Sequence, residues 1–237
     1  MDGMNSWTSL LSALPPEDYA HLLPKLQPVS LSLGHVVYGS SQRLQHVYFP
    51  TGCVVSLLYT MNNGSTAEMG LVGNDGVVGI ALFLGGETTP NRAVVQIAGS
   101  AWRMNAKVLR EEFVRGGPFQ QLLLRYTQAL IMQISQTAVC NRLHTVEQRL
   151  CRWVLLSHDR VNTDELLMTQ EFISNMLGGR RESVSAAAGR LQKAGLIHYR
   201  RGRITILDRK GLEASVCECY DIVKHELGRM RALSLHH

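Results

Sequence analysis

The spacing of apolar residues changes several times along the chain. Between residues 6 and 27 it is helical: Leu10, Leu11 and Leu14 form one patch, and Leu22, Leu23 and Leu26 another. Ser6-Trp7-Thr8 reads as a helix start, and Pro15-Pro16-Glu17-Asp18 as a first turn where proline is tolerated and acids suit the dipole. From residue 29 to 104 short runs rich in Val, Ile, Leu and Tyr predict strands at 29–33, 36–38, 46–49, 52–59, 67–72, 93–98 and 99–104. Asn62-Asn63-Gly64, Gly73-Asn74-Asp75-Gly76 and Leu84-Gly85-Gly86-Glu87 punctuate them. Many short strands at this spacing predict a rolled antiparallel structure, with residues 77–83 a short helix or irregular turn inside it.

Helical spacing returns at Asn105, a candidate cap, and Gly116-Gly117-Pro118 interrupts it. Residues 119–157 contain no Pro or Gly, far more than one ordinary helix of ~10–14 residues, and a bend or break is expected around 141–145. Leu123, Tyr126, Leu130, Ile134 and Thr137 recur at intervals of three and four, a seam expected to pair with a second copy. The alternative is a helix lying on its own β domain. After a polar connection at 159–165, Thr169 caps a short helix carrying Phe172, Ile173, Met176 and Leu177. Gly178-Gly179 breaks it. A second helix, 181–194, turns Val184, Ala187, Ala188 and Leu191 inward, and Gly195 suits a left-handed C-terminal position. Short strands then flank Arg200-Arg201-Gly202-Arg203. Helix, glycine turn, helix and basic hairpin is the layout of a winged helix-turn-helix. Residues 210–230 read as a last amphipathic helix.

The expected class is therefore α+β: an N-terminal antiparallel β-roll (a double-stranded β-helix), a long dimerisation helix and a C-terminal winged helix-turn-helix. The expected divisions are 1–28, 29–116, 117–157, 158–211 and 212–237. Charge sharpens this picture. The formal net charge is +5, and residues 165–211, with nine Lys/Arg against four Asp/Glu, carry all of it. That is the footprint of a polyanion-binding module in an otherwise neutral chain. The five cysteines show no framework spacing and are expected to be reduced thiols in a cytoplasmic protein. No apolar run reaches the ~18 residues of a membrane span, and no secretory signal is read at the N-terminus.

The order helix, β-roll, long helix, winged helix-turn-helix resembles the Crp–Fnr superfamily of bacterial transcription regulators over roughly residues 20–211. The resemblance is strongest at MTQEFISNMLGGRRESVSAAAGRLQKAGLI, where Arg181-Glu182-Ser183-Val184 is similar to the family's Arg-Glu-Thr/Ser-Val opening of the recognition helix. Gly34-His35-Val36-Val37-Tyr38, Phe49-Pro50-Thr51-Gly52 and Val77-Val78-Gly79 match the roll more loosely. The resemblance implies a cyclic-nucleotide-binding-like roll, a dimerisation helix and a DNA-binding head. The expected partners are double-stranded DNA, a second copy of the chain and RNA polymerase.

Chemistry assigns roles within the head. Arg181 can bond bidentately to guanine, and Glu182 can accept from cytosine N4 or orient an arginine. Ser185 and Ala186 follow one turn on; Ala186 can touch a thymine methyl where the family often carries an arginine or another polar reader. Thr169, Gln170, Arg180, Ser183, Lys193, Arg200, Arg201 and Arg203 are candidate phosphate contacts. In the family's nucleotide binders, a Gly-Glu-small cassette and an Arg-Ser/Thr pair hold the ligand. Here Gly79-Ile80-Ala81 lacks the acid and Ala93 replaces the hydroxyl, so only Arg92 remains as a ligand candidate. Cyclic AMP is not the expected effector, and Arg92 paired with Glu87 or backbone is the simpler reading. Another small effector stays open.

No cofactor, metal or enzymatic activity is expected. An iron–sulfur cluster requires about four converging cysteines, and Cys217-x-Cys219, read on a helix, points its thiols apart. A cupin-like metalloenzyme would rest on His35, His46 and Glu68, whose spacing fits no ligand motif, and haem ligation by His35, His46 or a cysteine has nothing specific in its favour. A helix-turn-helix that docks only protein is a third reading, against which the charge localisation argues.

Overall fold

A computed structural model describes residues 10–168, 170–177 and 181–232, apart from the side chains of 170, 171, 231 and 232. The expected starts at Ser6-Trp7-Thr8 and Thr169, the Gly178-Gly179 break and the phosphate roles of Thr169, Gln170 and Arg180 lie outside that description. The short helix α1 (Pro16–Leu22), begun by a proline, leads into two antiparallel sheets. β1 (Gln27–Leu31), β7 (Gly99–Asn105) and β3 (His46–Pro50) form one, in the order β1-β7-β3. β2 (Val36–Tyr38), β6 (Arg92–Ile97), β4 (Val54–Thr60) and β5 (Thr66–Val72) form the other, in the order β2-β6-β4-β5. Val47, Phe49, Val55, Val72, Val95 and Met104 are buried in the core they share. The irregular stretch at 77–83 holds one 3-10 turn, Ile80–Leu82, entered through Gly79 at φ +107°.

Strand β4 is buried at five consecutive positions, Val54 to Leu58, rather than at alternate ones. Its sheet is covered on both faces, which removes the polar-out half of the strand pattern. Helices supply the second cover. α2 (Ala106–Arg115) is capped by Asn105, whose side chain accepts from the Lys107 amide at 2.9 Å. Gly116 and Gly117, both at φ +81°, turn the chain into α3 (Pro118–Leu143). A Cβ on Gly76 would stand 2.6 Å from the Tyr126 hydroxyl, and one on Gly70 2.7 Å from Gln133 Nε2. These glycines let α3 lie directly on its own roll.

The expected dimer seam is therefore accounted for within the chain. Leu123, Tyr126, Leu130 and Thr137 are buried and Ile134 is half-buried against the core. The alternative, a helix lying on its own β domain, describes this face. The neighbouring face carries Leu124, Gln128, Ile131, Ser135 and Ala138, all exposed, with Ile131 58% and Leu143 70% accessible.

The long helical stretch divides where a break was expected. His144 is extended (ψ 154°), and Thr145 opens α4 (Val146–His158) with a capping box completed by Gln148. The head then comprises α4, β8 (Glu165–Leu167), α5 (Gln170–Leu177), α6 (Arg181–Lys193), β9 (Ile197–Arg200) and β10 (Arg203–Ile206). Its sheet order is β8-β10-β9. The expected single helix over 210–230 is instead two, α7 (Arg209–Ser215) and α8 (Cys219–Ala232), and α8 packs back along α3. No helix among the described residues is long and apolar enough to cross a membrane.

Candidate nucleic-acid interface

Helix α6 is built with one apolar stripe. Val184, Ala187, Ala188 and Leu191 are buried, and the helix packs against α4, α5 and β9. The remaining surface presents Arg181, Glu182, Ser183, Ala186, Gly189 and Lys193 to solvent, with Ser185 half-buried at its edge. A Cβ on Gly189 would meet nothing within 4 Å. Folding therefore does not require glycine there, although glycine within a helix costs about 1 kcal/mol relative to alanine.

The hairpin beside it closes in two residues. Arg200 pairs with Arg203 across β9 and β10, leaving Arg201 and Gly202 as the turn, both at positive φ (51° and 76°). That is the conformation of a tight hairpin whose twist matches its strands. Arg200, Arg201 and Arg203 are exposed. Arg203 pairs with Glu165 on β8, and Arg190 with Glu147 on α4. No such ion pair among the described residues engages Lys193, Arg200 or Arg201. The wing tip also borders a cavity of about 330 Å³ shared with Leu33, Gly34 and Val95 of the roll.

Buried polar groups join head to roll. Arg160, 2% exposed, donates to Asp75 at 3.1 Å through Nε and 2.9 Å through Nη2, and to Gln133 Oε1 at 3.2 Å. Gln133 in turn donates to the Leu71 carbonyl at 3.1 Å, and Gln96 to the Ser157 hydroxyl at 3.3 Å. Glu68 is also buried here. Burial pushes its carboxyl up to about 8, against the opposing pull of Ser56, Arg152 and Trp153.

The roll has a second cavity of about 290 Å³ under α3, lined by Tyr38, Leu57, Thr89, Asn91, Leu130 and Ile134 among others, with no charged side chain. Arg92 does not line it. It lies opposite Leu58 on β6, and its buried Nε has no hydrogen-bond partner among the described residues. The expected partner, Glu87, instead takes Arg43 at 3.2 Å and Arg110 at 3.4 Å. Among the described residues His35, His46 and Glu68 do not converge as a ligand set.

One expectation fails outright. Cys217 and Cys219 do not diverge, because Cys217 lies in the turn between α7 and α8 and only Cys219 is helical. Both thiols meet Cys140 and His144 at the end of α3. Hydrogen bonding from Cys140 holds the Cys217 thiol down, to about 6, and pushes Cys140 up in return. The legible signal was Cys140-x3-His144 on one helix face; the turn at 216–218, without Gly or Pro, was not.

Comparison with known proteins agrees with this layout. The pattern of the Crp-like helix-turn-helix domain matches residues 148–215. FixK2 from Bradyrhizobium japonicum superposes with a TM-score of 0.69 at 17% identity, covering 81% of this chain and 98% of its own. A CRP-family transcriptional regulator from Thermus thermophilus gives 0.65 at 16% identity, covering 79% and 95%. The c-di-GMP-responsive global regulator CLP of Xanthomonas campestris gives 0.62 at 14% identity, covering 81% and 99%. No curated protein sequence matches the chain.

Proposed function

We propose that this protein is a sequence-specific transcription regulator that binds DNA as a homodimer and acts with RNA polymerase, a reading supported by the match of residues 148–215 to the Crp-like helix-turn-helix domain and by the likeness of the fold to FixK2. The observation that carries the reading is the division of α6: one face buried in the head, the other presenting Arg181, Glu182, Ala186, Gly189 and Lys193. Arg181 and Glu182 read base edges in the major groove, with Ser185 and Ala186 one turn behind them. Small side chains at Ala186 and Gly189 let the helix backbone approach the DNA. Ser183, Lys193, Arg200 and Arg201 contact phosphates. Arg203 is held by Glu165 and contributes less.

The dimer forms through the exposed face of α3. Gln121, Leu124, Gln128, Ile131, Ser135, Ala138 and Arg142 follow one another at alternating intervals of three and four, the seam of a left-handed pair. Two recognition helices so related read a pseudo-palindrome with half-sites about one turn, ~10 bp, apart. Cyclic AMP is not the effector in this reading: the cavity under α3 offers no charge to a cyclic phosphate and no acid to a ribose. A small, largely apolar molecule fits it better.

Selection of binding sites from random DNA by the purified protein, with and without cyclic AMP, tests the whole reading. The expected result is a pseudo-palindromic motif that cyclic AMP does not change. Arg181→Ala should lose discrimination at one base pair of each half-site, worth ~1–3 kcal/mol. An unaltered motif in that variant overturns the assignment of Arg181.

A further inference from the structure

Four metal-ligating side chains converge where α3 ends. Cys140 and His144 stand one helical turn apart and share a face. Cys217 and Cys219 reach them from the α7–α8 turn and the first residue of α8. One ligand atom of each lies within 4.8 Å of all the others. Cys140 Sγ is 3.6 Å from Cys217 Sγ, and Cys219 Sγ is 3.5 Å from His144 Nδ1. A tetrahedral site with metal–sulfur bonds of ~2.3 Å and metal–nitrogen bonds of ~2.0 Å places neighbouring ligand atoms roughly 3.5–3.8 Å apart. A disulfide would bring two sulfurs to ~2.05 Å.

The surroundings match an outer shell. With His144 Nδ1 turned inward, Nε2 faces the Glu218 carboxylate at 3.4 Å, the arrangement that fixes the tautomer of a ligating histidine. Gln136 Nε2 donates to Cys219 Sγ at 3.1 Å. All three cysteines are buried, in a cluster separate from the main core. We propose that Cys140, His144, Cys217 and Cys219 form a closed Cys₃His site for a divalent ion of zinc's class, clasping the start of α8 to the end of α3. Three sulfur ligands select a borderline or soft ion over magnesium or calcium, and four protein ligands leave no position for substrate, so the site is structural. All three cysteines ligate as thiolates, so binding releases to solvent the thiol protons they still carry. The complex carries one net negative charge, and Arg152 lies near enough to act on Cys140. The clasp sits beside the α3–α4 break, and α8 packs on both those helices. It therefore fixes how the head is carried on α3. It stands whether or not the head binds DNA.

The test uses the full chain, reduced and stripped with chelator, then titrated with Co²⁺. One ion per chain is expected, with intense visible bands of tetrahedral cobalt and thiolate-to-metal charge transfer in the near ultraviolet, both abolished by Zn²⁺. Cys219→Ser should weaken cobalt binding and lower the charge-transfer intensity per bound ion, one of three thiolates being lost, and Cys53→Ala with Cys151→Ala should leave both unchanged. Glu218→Gln, exposed and harmless to folding, should weaken metal affinity about 10–100-fold. Zn²⁺ should also raise the unfolding midpoint of the unmodified chain. No cobalt bands, unchanged bands in Cys219→Ser, or a Cys140–Cys217 disulfide formed without metal affinity would each overturn the proposal.

Discussion

At Arg201 a long cationic side chain occupies a backbone conformation that suits asparagine or glycine, φ 51° at the tip of the wing. The left-handed region costs an ordinary residue about 1–2 kcal/mol. Arg201→Asn should therefore leave the protein at least as stable in urea. It should weaken binding to all DNA sequences alike and lower the salt slope by about 1, read by gel shift across a salt series. Gly189 makes a similar trade on α6. Gly189→Ala should stabilise the helix by about 1 kcal/mol and impair DNA binding, because a methyl would stand between helix and groove. Glu68 sets a pH dependence. Below about 4.5 the folded and unfolded states both hold its proton; from there to about 8 only the folded state does. Stability should fall as pH rises through that window, and Glu68→Gln should flatten the slope in denaturation measured at pH 5 and 8. The motif singled out Arg181 and Glu182, and both are exposed on α6. The partners of Cys217 were not legible, since they depend on a turn that sequence does not mark.

Helix α3 shows what periodicity leaves open. Two faces of it repeat at three and four: Leu123, Tyr126, Leu130, Ile134 and Thr137, and beside them Leu124, Gln128, Ile131, Ser135 and Ala138. Hydrophobic spacing favours the first set, which is why it reads as a partner seam. The roll claims it, because Gly70 on β5 and Gly76 in the loop after it leave room for Gln133 and Tyr126. The two faces should respond differently to substitution. Ile131→Glu should leave the fold intact and yield monomers in sedimentation. Leu130→Ala should cost about 2–5 kcal/mol of stability through its cavity. By contrast, the roll's strands and the α3–α4 break were readable in advance, since glycine turns and the Thr145 capping box are local chemistry. Thr145→Ala should cost about 1 kcal/mol.

On the scale of the molecule, the head is attached to the roll through polar groups as well as apolar ones. Composition located the charge of the head but could not reveal this seam, whose members lie far apart in the chain: Asp75 with Arg160, Gln96 with Ser157, Gln133 with the Leu71 carbonyl. Asp75→Asn should destabilise the protein by about 3–5 kcal/mol by leaving the Arg160 charge buried and unpaired. Adding Arg160→Met should restore much of the loss, a comparison that equilibrium unfolding of the three variants settles.

That buried pair has a consequence for how a message crosses the protein. Arg160 holds Asp75 through two nitrogens at once and has no second carboxylate within reach of an ion pair among the described residues. Partial separation forfeits attraction before water can enter to replace it, so intermediate postures of head against roll lie high in free energy. An effector would then act as a vote between two arrangements rather than as a dial. Its dose would change the fraction of molecules that have switched, not how far each one has moved.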